Sequence, residues 1–252
     1  MMTDGTIEKL AELVRENQPV VALTGAGVST ESGIPDFRSP TGMWAEFDPR
    51  EYGSLGAFQA DPEKVWRFYA PRFSMLTDAE PNQAHHALAE LERLGLLRAV
   101  ITQNIDLLHE RAGTREVIEV HGSIRTSRCL SCGASYTLDE VFTLLEAGNG
   151  APHCTRCRAV LKPDVVFFDE LLPEDAMNRA YELAGEAGLL LVVGSSLEVW
   201  PVAELPFTTL GAGGKIAVVN EGPTSVDDRA DLKISGKAGE VLSMTLARLA
   251  SG

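Results

Sequence analysis

The chain has 252 residues, 44% of them hydrophobic and 23% charged, with a mean hydropathy of -0.01. That composition excludes a disordered or low-complexity chain, which lacks this apolar content. No run approaches the ~18 uninterrupted apolar residues that span a bilayer, and 22 Lys+Arg against 36 Asp+Glu leave a formal charge of -14, which repels a phosphate backbone and disfavours direct nucleic-acid binding.

A basic peptide or protein tail is the partner such a charge attracts; the plain alternative is solubility. Met1 to Asn17 carries scattered charges and no apolar h-region, so a cytoplasmic location is expected. In the same stretch Ile7, Leu10, Ala11 and Val14 recur at helical spacing behind Thr3 and Asp4, which predicts a capped first helix. Pro19 to Leu23 is a short apolar strand running into Gly25-Ala26-Gly27. An amphipathic helix follows from about Asn82 to Leu94, then a strand over Ala99–Thr102, a helix near Leu107 and a strand near Val117–Val120. In the second half, Val165–Phe168, Leu189–Val193 and Ile216–Val219 are continuous apolar runs of strand length. Helices are expected near Glu174–Glu186, Val202–Leu210 and Glu240–Leu249. Strands apolar on both faces belong to a parallel sheet covered by helices on each side. The expected fold is α/β, a doubly wound, Rossmann-like parallel sheet, over one domain spanning 1–252. Two stretches break the rhythm: 39–80, with one helical patch around Val65–Phe68, and 124–162, which holds every cysteine. Both read as insertions forming a smaller helical and metal-binding module, and no internal repeat is evident.

The four cysteines form two Cys-x-x-Cys pairs, Cys129/Cys132 and Cys154/Cys157, with 21 residues between them. Four thiolates saturate tetrahedral Zn2+ and leave no open position, so one structural ion is expected. A redox dithiol is the alternative. His153 adjoins Cys154, but the thiols already complete the site.

A strand ending in Gly25-Ala26-Gly27 is where an α/β fold places phosphate at the start of a helix. Thr30 stands where a third glycine would complete the dinucleotide fingerprint, so the run alone is consistent with either a nucleotide site or a tight turn. Further polar clusters follow at predicted strand ends: Thr102-Gln103-Asn104-Ile105-Asp106, Val120-His121-Gly122, Gly194-Ser195-Ser196 and Val219-Asn220-Glu221. Such clusters converge on the crevice at the carboxyl edge of a parallel sheet.

The run Gly25 to Arg38 (GAGVSTESGIPDFR), TQNID at 102–106, the His121-Gly122 pair, the two cysteine pairs, Gly194-Ser195-Ser196 and the late Val219-Asn220-Glu221 resemble, in order, the motifs of the sirtuins, the silent-information-regulator family of NAD-dependent protein deacylases. The compact archaeal and bacterial members are the most similar. The resemblance runs from Val20 to Glu240 and implies that Gly25, Ala26, Gly27, Thr30, Asp36, Phe37 and Arg38 line an NAD pocket. It implies that Gln103 touches the nicotinamide-side ribose and that Asn104, Ile105 and Asp106 form the nicotinamide pocket. Gly194, Ser195, Ser196, Asn220 and Glu221 would hold the phosphates and adenosine, with Lys237 or Ala238 at the adenine. The implied chemistry has the acyl oxygen of a modified lysine attack the ribose as nicotinamide leaves. His121, the implied general base, then takes a proton from the ribose hydroxyls, a task suited to an imidazole titrating near ~6.5. The products would be nicotinamide, acetyl-ADP-ribose and the free lysine.

An acyl-lysine peptide is implied to enter as an added strand between Val166–Glu170, where Val166, Phe168, Asp169 and Glu170 are the contacts, and Leu197–Pro201, where Val199 is. The family has glycine at the position of Asp169, and a positive φ there would cost an aspartate about 1 kcal/mol. Asp169, Glu170 and Glu198 predict basic residues flanking the lysine. Tyr69-x-x-Arg72 resembles the pair that grips the acyl carboxylate in the desuccinylating and demalonylating branch; the alternative is that both decorate a helix end. Protein mono-ADP-ribosylation and a non-catalytic NAD-sensing module are the other functions this sequence has to be tested against.

Overall fold

The structure, a computed structural model, describes residues 3–37, 39, 42–148 and 150–250; Arg38, expected at the cofactor, lies outside them. The chain opens with α1 (Asp4–Glu16), capped by the Thr3 side chain, and β1 (Val20–Thr24). Four helices follow: α2 (Met43–Glu46), α3 (Pro49–Tyr52), α4 (Leu55–Ala60) and α5 (Pro62–Asp78). Next come α6 (Gln83–Arg93), β2 (Ala99–Thr102), α7 (Leu108–Arg111) and β3 (Val117–Glu119). The cysteine region holds β4 (Gly122–Cys129), β5 (Ser135–Thr137), α8 (Leu138–Ala147) and β6 (Leu161–Val165). The chain closes with α9 (Glu174–Glu186), β7 (Leu189–Val193), α10 (Leu205–Gly211), β8 (Lys215–Val219), β9 (Leu232–Ile234) and α11 (Ala238–Ala250).

Among the described residues six strands form one parallel sheet in the order β3-β2-β1-β7-β8-β9. The order reverses direction at β1, which leaves a crevice between the β1 and β7 ends, where doubly wound sheets bind ligands. Alternate residues along β1 feed two separate cores. Val20 and Ala22 join α1, α6 and α11, while Val21 and Leu23 join α9 and α10. Burial on both faces is why these strands read as unbroken apolar runs. Among the described residues no helix is long and apolar enough to cross a membrane.

A third cluster unites the two insertions. Phe58, Trp66, Phe68, Tyr69 and Phe73 from the helical stretch pack with Ile124, Tyr136, Val141, Leu161 and Phe167 from the cysteine region. Neither has enough apolar surface alone; together they bury a core beside the main sheet.

Three expectations need correction. Val165–Phe168 is not a strand of the parallel sheet: β6 ends at Val165 and belongs to a three-stranded antiparallel sheet, β5-β4-β6. An apolar run is equally suited to the third cluster, so hydrophobicity alone did not choose the sheet. Tyr69 and Arg72 do not sit at a helix end, because α5 continues through Pro71 to Asp78. Finally, there is a short internal repeat. Cys129-x-x-Cys132-Gly133-Ala134 and Cys154-x-x-Cys157-Arg158-Ala159 make the same turn twice, each first cysteine donating its N–H to the alanine carbonyl at 2.8 Å. Gly133 and Arg158 take the left-handed position in each, at φ +72 and +70.

Candidate active site and metal centre

The carboxyl ends of four strands stand level. Thr24 on β1 is in register with Thr102 on β2 and Val193 on β7, and Val193 with Val219 on β8. One step beyond that row lie Gly25, Gln103, Gly194 and Asn220, so motifs far apart in sequence share one edge.

The glycines make that edge possible, though by a different route from the expected one. The Gly25 and Gly27 amides donate to Val193 O (3.1 Å) and Gly194 O (2.8 Å). A Cβ at Gly27 would lie 2.8 Å from the Gly194 carbonyl, and one at Gly25 2.9 Å from it. The β1 and β7 turns therefore touch backbone to backbone. Two short 3-10 turns, Ala26–Val28 and Thr30–Ser32, follow in place of an α-helix. The amides of Val28 and Ser29 turn back on Gly25 and Ala26, so they do not face an anion as a helix N-terminus would. Thr30 donates to Gly27 O (3.0 Å). Asp36 accepts the Ser39 amide (2.9 Å), and Phe37 stacks on Trp44 at 5.8 Å.

Below the crevice is a buried polar platform. The Ser29 hydroxyl donates to Asp106 (2.7 Å) and accepts from the Asn104 amide (3.0 Å). Leu108 N–H donates to the other Asp106 oxygen (3.0 Å). Burial raises the Asp106 pKa, with the Ser29 hydrogen bond pulling it back down. Two histidines outside the strand-end motifs, His85 and His109, belong here. His85 Nδ1 accepts the Asn82 amide (3.3 Å), so Nε2 carries the proton and meets Ser29 at 3.4 Å. His109 Nε2 meets the Thr24 hydroxyl at 2.9 Å, and Thr24 donates on to Thr102 (2.9 Å). The two rings lie 4.8 Å apart. Burial holds both neutral, lowering His85 to about 4 and His109 to about 3. The signal was present in Asn82-x-x-His85, a capping box, and in Ser29 inside the glycine-rich run. Ile105 joins this platform to the third cluster.

His121 stands at the edge of the platform, half-buried. Its Nδ1 lies 3.0 Å from the Gln103 carbonyl. A carbonyl can only accept, so Nδ1 carries a proton; in the neutral ring that leaves the lone pair on Nε2, the form a general base needs. The Gln103 side chain donates to Ser195 Oγ (2.9 Å), linking the β2 and β7 ends. Ser195 also accepts the Leu197 amide (3.2 Å), and the Ser196 carbonyl accepts from Ser225 (3.2 Å). Asn220 donates to Gly222 O (3.0 Å), with Glu221 exposed beside it. Lys237 precedes α11 and Ala238 begins it, where the next amide, Gly239, donates to Glu31 (2.8 Å).

The segment expected to take a peptide adjoins this site. Val166 N–H donates to His121 O (2.9 Å). Phe168 is tied to the helical insertion, donating to Gly53 O (2.7 Å) and accepting from Leu55 (3.0 Å). Asp169 has φ +68, the left-handed conformation anticipated for it. Glu170 does not face outward as a free acid: it pairs with Lys162 at 2.8 Å. On the other side Val199 is half-buried and accepts from Ala203 (2.9 Å). Tyr69 stacks on Phe167 at 5.5 Å, which brings α5 up to this segment. Arg72 lies 3.6 Å over the Phe68 ring and donates to Phe68 O (2.6 Å).

The four cysteine sulfurs lie within 4.8 Å of one another, Cys129 and Cys154 buried, Cys132 and Cys157 exposed. The Tyr136 hydroxyl donates to Cys154 Sγ (3.2 Å) and lowers that thiol to about 6. Four converging sulfurs with a thiolate favoured among them fit a closed tetrahedral zinc site. His153 is exposed and turns to the Ala151 carbonyl (2.9 Å).

The Sir2 family model matches residues 25–201. An NAD-dependent protein deacylase 1 of Archaeoglobus fulgidus is 46% identical over 93% of this chain and 94% of its own. An NAD-dependent protein deacetylase 1 of Pyrobaculum aerophilum is 44% identical over 98% and 96%. Among solved structures, a Sir2 variant with a deacetylated p53 peptide and 3′-O-acetyl ADP-ribose matches with a TM-score of 0.92 at 41% identity, covering 96% of this chain and 98% of that one. With a platform, histidine and cysteine centre in one fold, matched nearly end to end, this chain belongs to the Sir2 family.

Proposed function

We propose that the protein is an NAD-dependent protein-lysine deacetylase, with the whole chain 1–252 as one catalytic unit carrying insertions at 39–80 and 124–162. The observation that carries this is the hydrogen bond from His121 Nδ1 to the Gln103 carbonyl. It orients the ring so that, when neutral, it presents Nε2 as base between the polar platform and the Val166 segment. NAD, when bound, supplies the electrophilic ribose carbon and nicotinamide as its leaving group. Asp106 and Asn104 would take the carboxamide on the platform that Ser29 and Leu108 hold in place. Gly25, Ala26, Gly27, Thr30, Asp36, Phe37 and Ile105 would line the nicotinamide side. Gly194, Ser195, Ser196, Asn220, Glu221, Lys237 and Ala238 would line the adenosine side. His121 Nε2 would take the ribose-hydroxyl proton. Cys129, Cys132, Cys154 and Cys157 would hold one structural Zn2+ that braces the module behind the peptide segment.

The substrate would be an extended acyl-lysine peptide lying along Val166, Phe168 and Asp169 on one side and Val199 on the other. Exposed Asp169 and the overall charge of -14 support basic flanks. Equal turnover of acidic and basic peptides would remove that preference. The same charge argues against nucleic acid as a direct partner, and four clustered free cysteines suit the reducing cytoplasm.

Arg72 favours a second acyl group. Its guanidinium is half-buried one helical turn from Tyr69, and among the described residues it makes no ion pair, Glu46 acting on its charge only at longer range. An acyl carboxylate would complete it. Mass spectrometry of reactions with NAD and either acetyl-lysine or succinyl-lysine peptide tests both readings. Acetyl-ADP-ribose is the expected product. A faster succinyl reaction that Arg72→Met abolishes would make desuccinylation the main activity. ADP-ribosylated protein without deacylation would overturn both.

A further inference from the structure

Lys162 is only 5% exposed, on the last strand before the peptide segment. Its ammonium donates to Pro163 O (3.0 Å) and Val165 O (2.9 Å) and pairs with Glu170 Oε2 at 2.8 Å. Two of the three donors an ammonium offers are used on backbone carbonyls, and the charge is met by the carboxylate. Nζ also lies 4.4 Å from the centre of the Phe167 ring. Glu170 Oε2 in turn accepts the Phe167 amide (2.7 Å), and the Glu170 amide returns to the Phe167 carbonyl (3.1 Å). A side chain from β6 thus reaches past the end of its own strand and closes the turn that begins there.

A buried ion pair is a poor way to gain stability, since apolar side chains of similar volume do as well or better. Around it the third cluster is aromatic and aliphatic, so an apolar residue would suit the site. What the pair does supply is one geometry. The turn contains Asp169 at φ +68, a conformation that persists only where its surroundings over-determine it. Phe168 is tied on one side to Gly53 and Leu55, and Glu170 on the other to Lys162. With both ends fixed, the backbone of 166–170 keeps a single shape next to His121.

We propose that Lys162 and Glu170 are a positioning pair for the acyl-lysine peptide, holding the 166–170 turn in the shape that receives it, and that Glu170 is not itself a ligand for basic flanks. This rests on the deacylase reading and deepens it. Lys162→Met and Glu170→Gln test it, each compared with wild type for peptide KM, kcat, NAD affinity and amide hydrogen exchange at Phe167 and Glu170. The expected result is a rise in peptide KM of about tenfold, the scale of one charged hydrogen bond. kcat and NAD affinity should stay within about twofold, and peptides with acidic, neutral and basic flanks should suffer alike. Exchange at the two amides should speed up in both variants. A KM rise confined to basic peptides would make Glu170 a direct ligand and overturn the proposal. Unchanged exchange at Phe167 and Glu170 would overturn it whether or not any peptide is turned over. An inactive wild type with faster exchange in the variants would sink the deacylase reading and leave the latch standing only as architecture, which also overturns its role toward a peptide.

Discussion

Lowering the pH should loosen this fold through two histidines that no step of the proposed reaction uses. His85 and His109 are buried and neutral, at about 4 and about 3, whereas in the unfolded chain each titrates near ~6.5. Below that value the unfolded state binds protons that the folded state refuses, so stability falls as pH falls, beginning near ~6.5 and continuing toward the folded values. At about pH 5.5 each ring should cost about 1.4 kcal/mol, and the two together about 2.8 kcal/mol, against almost nothing at about pH 7.5. Asp106 works the other way, because its raised carboxyl takes up a proton in the fold before the unfolded chain would. Urea unfolding at the two pH values, with zinc present throughout, measures the difference. His85→Gln keeps an N–H donor toward Ser29 but cannot titrate, so its acid loss should be smaller by about 1.4 kcal/mol. A variant that loses as much as wild type would refute the reasoning and move the acid sensitivity elsewhere.

His121→Ala should lower turnover by about 10²–10⁴-fold with NAD affinity retained by calorimetry; loss of both together would deny His121 its role as base. Cys154→Ser should abolish the bound zinc measured by elemental analysis and lower the thermal midpoint, and an unchanged metal content would exclude the four-sulfur site. Gly122→Ala should destabilise by about 2–4 kcal/mol in urea, because φ is +68 and a Cβ would overlap the Asp164 carbonyl. A loss below about 0.5 kcal/mol would mean that β4 and β6 can part there without penalty.

Much of this was legible beforehand because the main sheet is buried on both faces. Leu189–Val193 and Ala99–Thr102 read as strands to the residue, and the amphipathic run from about Asn82 is α6, which Asn82 caps. β9 escaped notice because three residues with Lys233 in the middle carry no pattern long enough to weigh. Val165–Phe168 was assigned to the wrong sheet because hydrophobicity reports burial and not the neighbour that provides it. In the site, motif residues declared themselves by their position after strands. His85 and His109 did not, since a buried histidine is distinguished only by partners contributed from other elements, here Ser29 and Thr24. The capture of Glu170 by Lys162 was hidden for the same reason. Eight positions separate them, and no spacing rule for helix or strand connects residues across a turn.

Gly122 pairs with Val165, while the residue before it gives its carbonyl to Val166. His121 is therefore joined by its main chain to the ledge where the acyl-lysine would rest and by its ring edge to the large sheet, at Gln103, while the preceding Val120 amide donates to Thr102 O on β2 (3.1 Å). The base is thus a bridge: a shift of the 166–170 segment would pull on the His121 carbonyl, and one of the floor of Ser29, Asn104 and Asp106 would pull on its ring through Gln103.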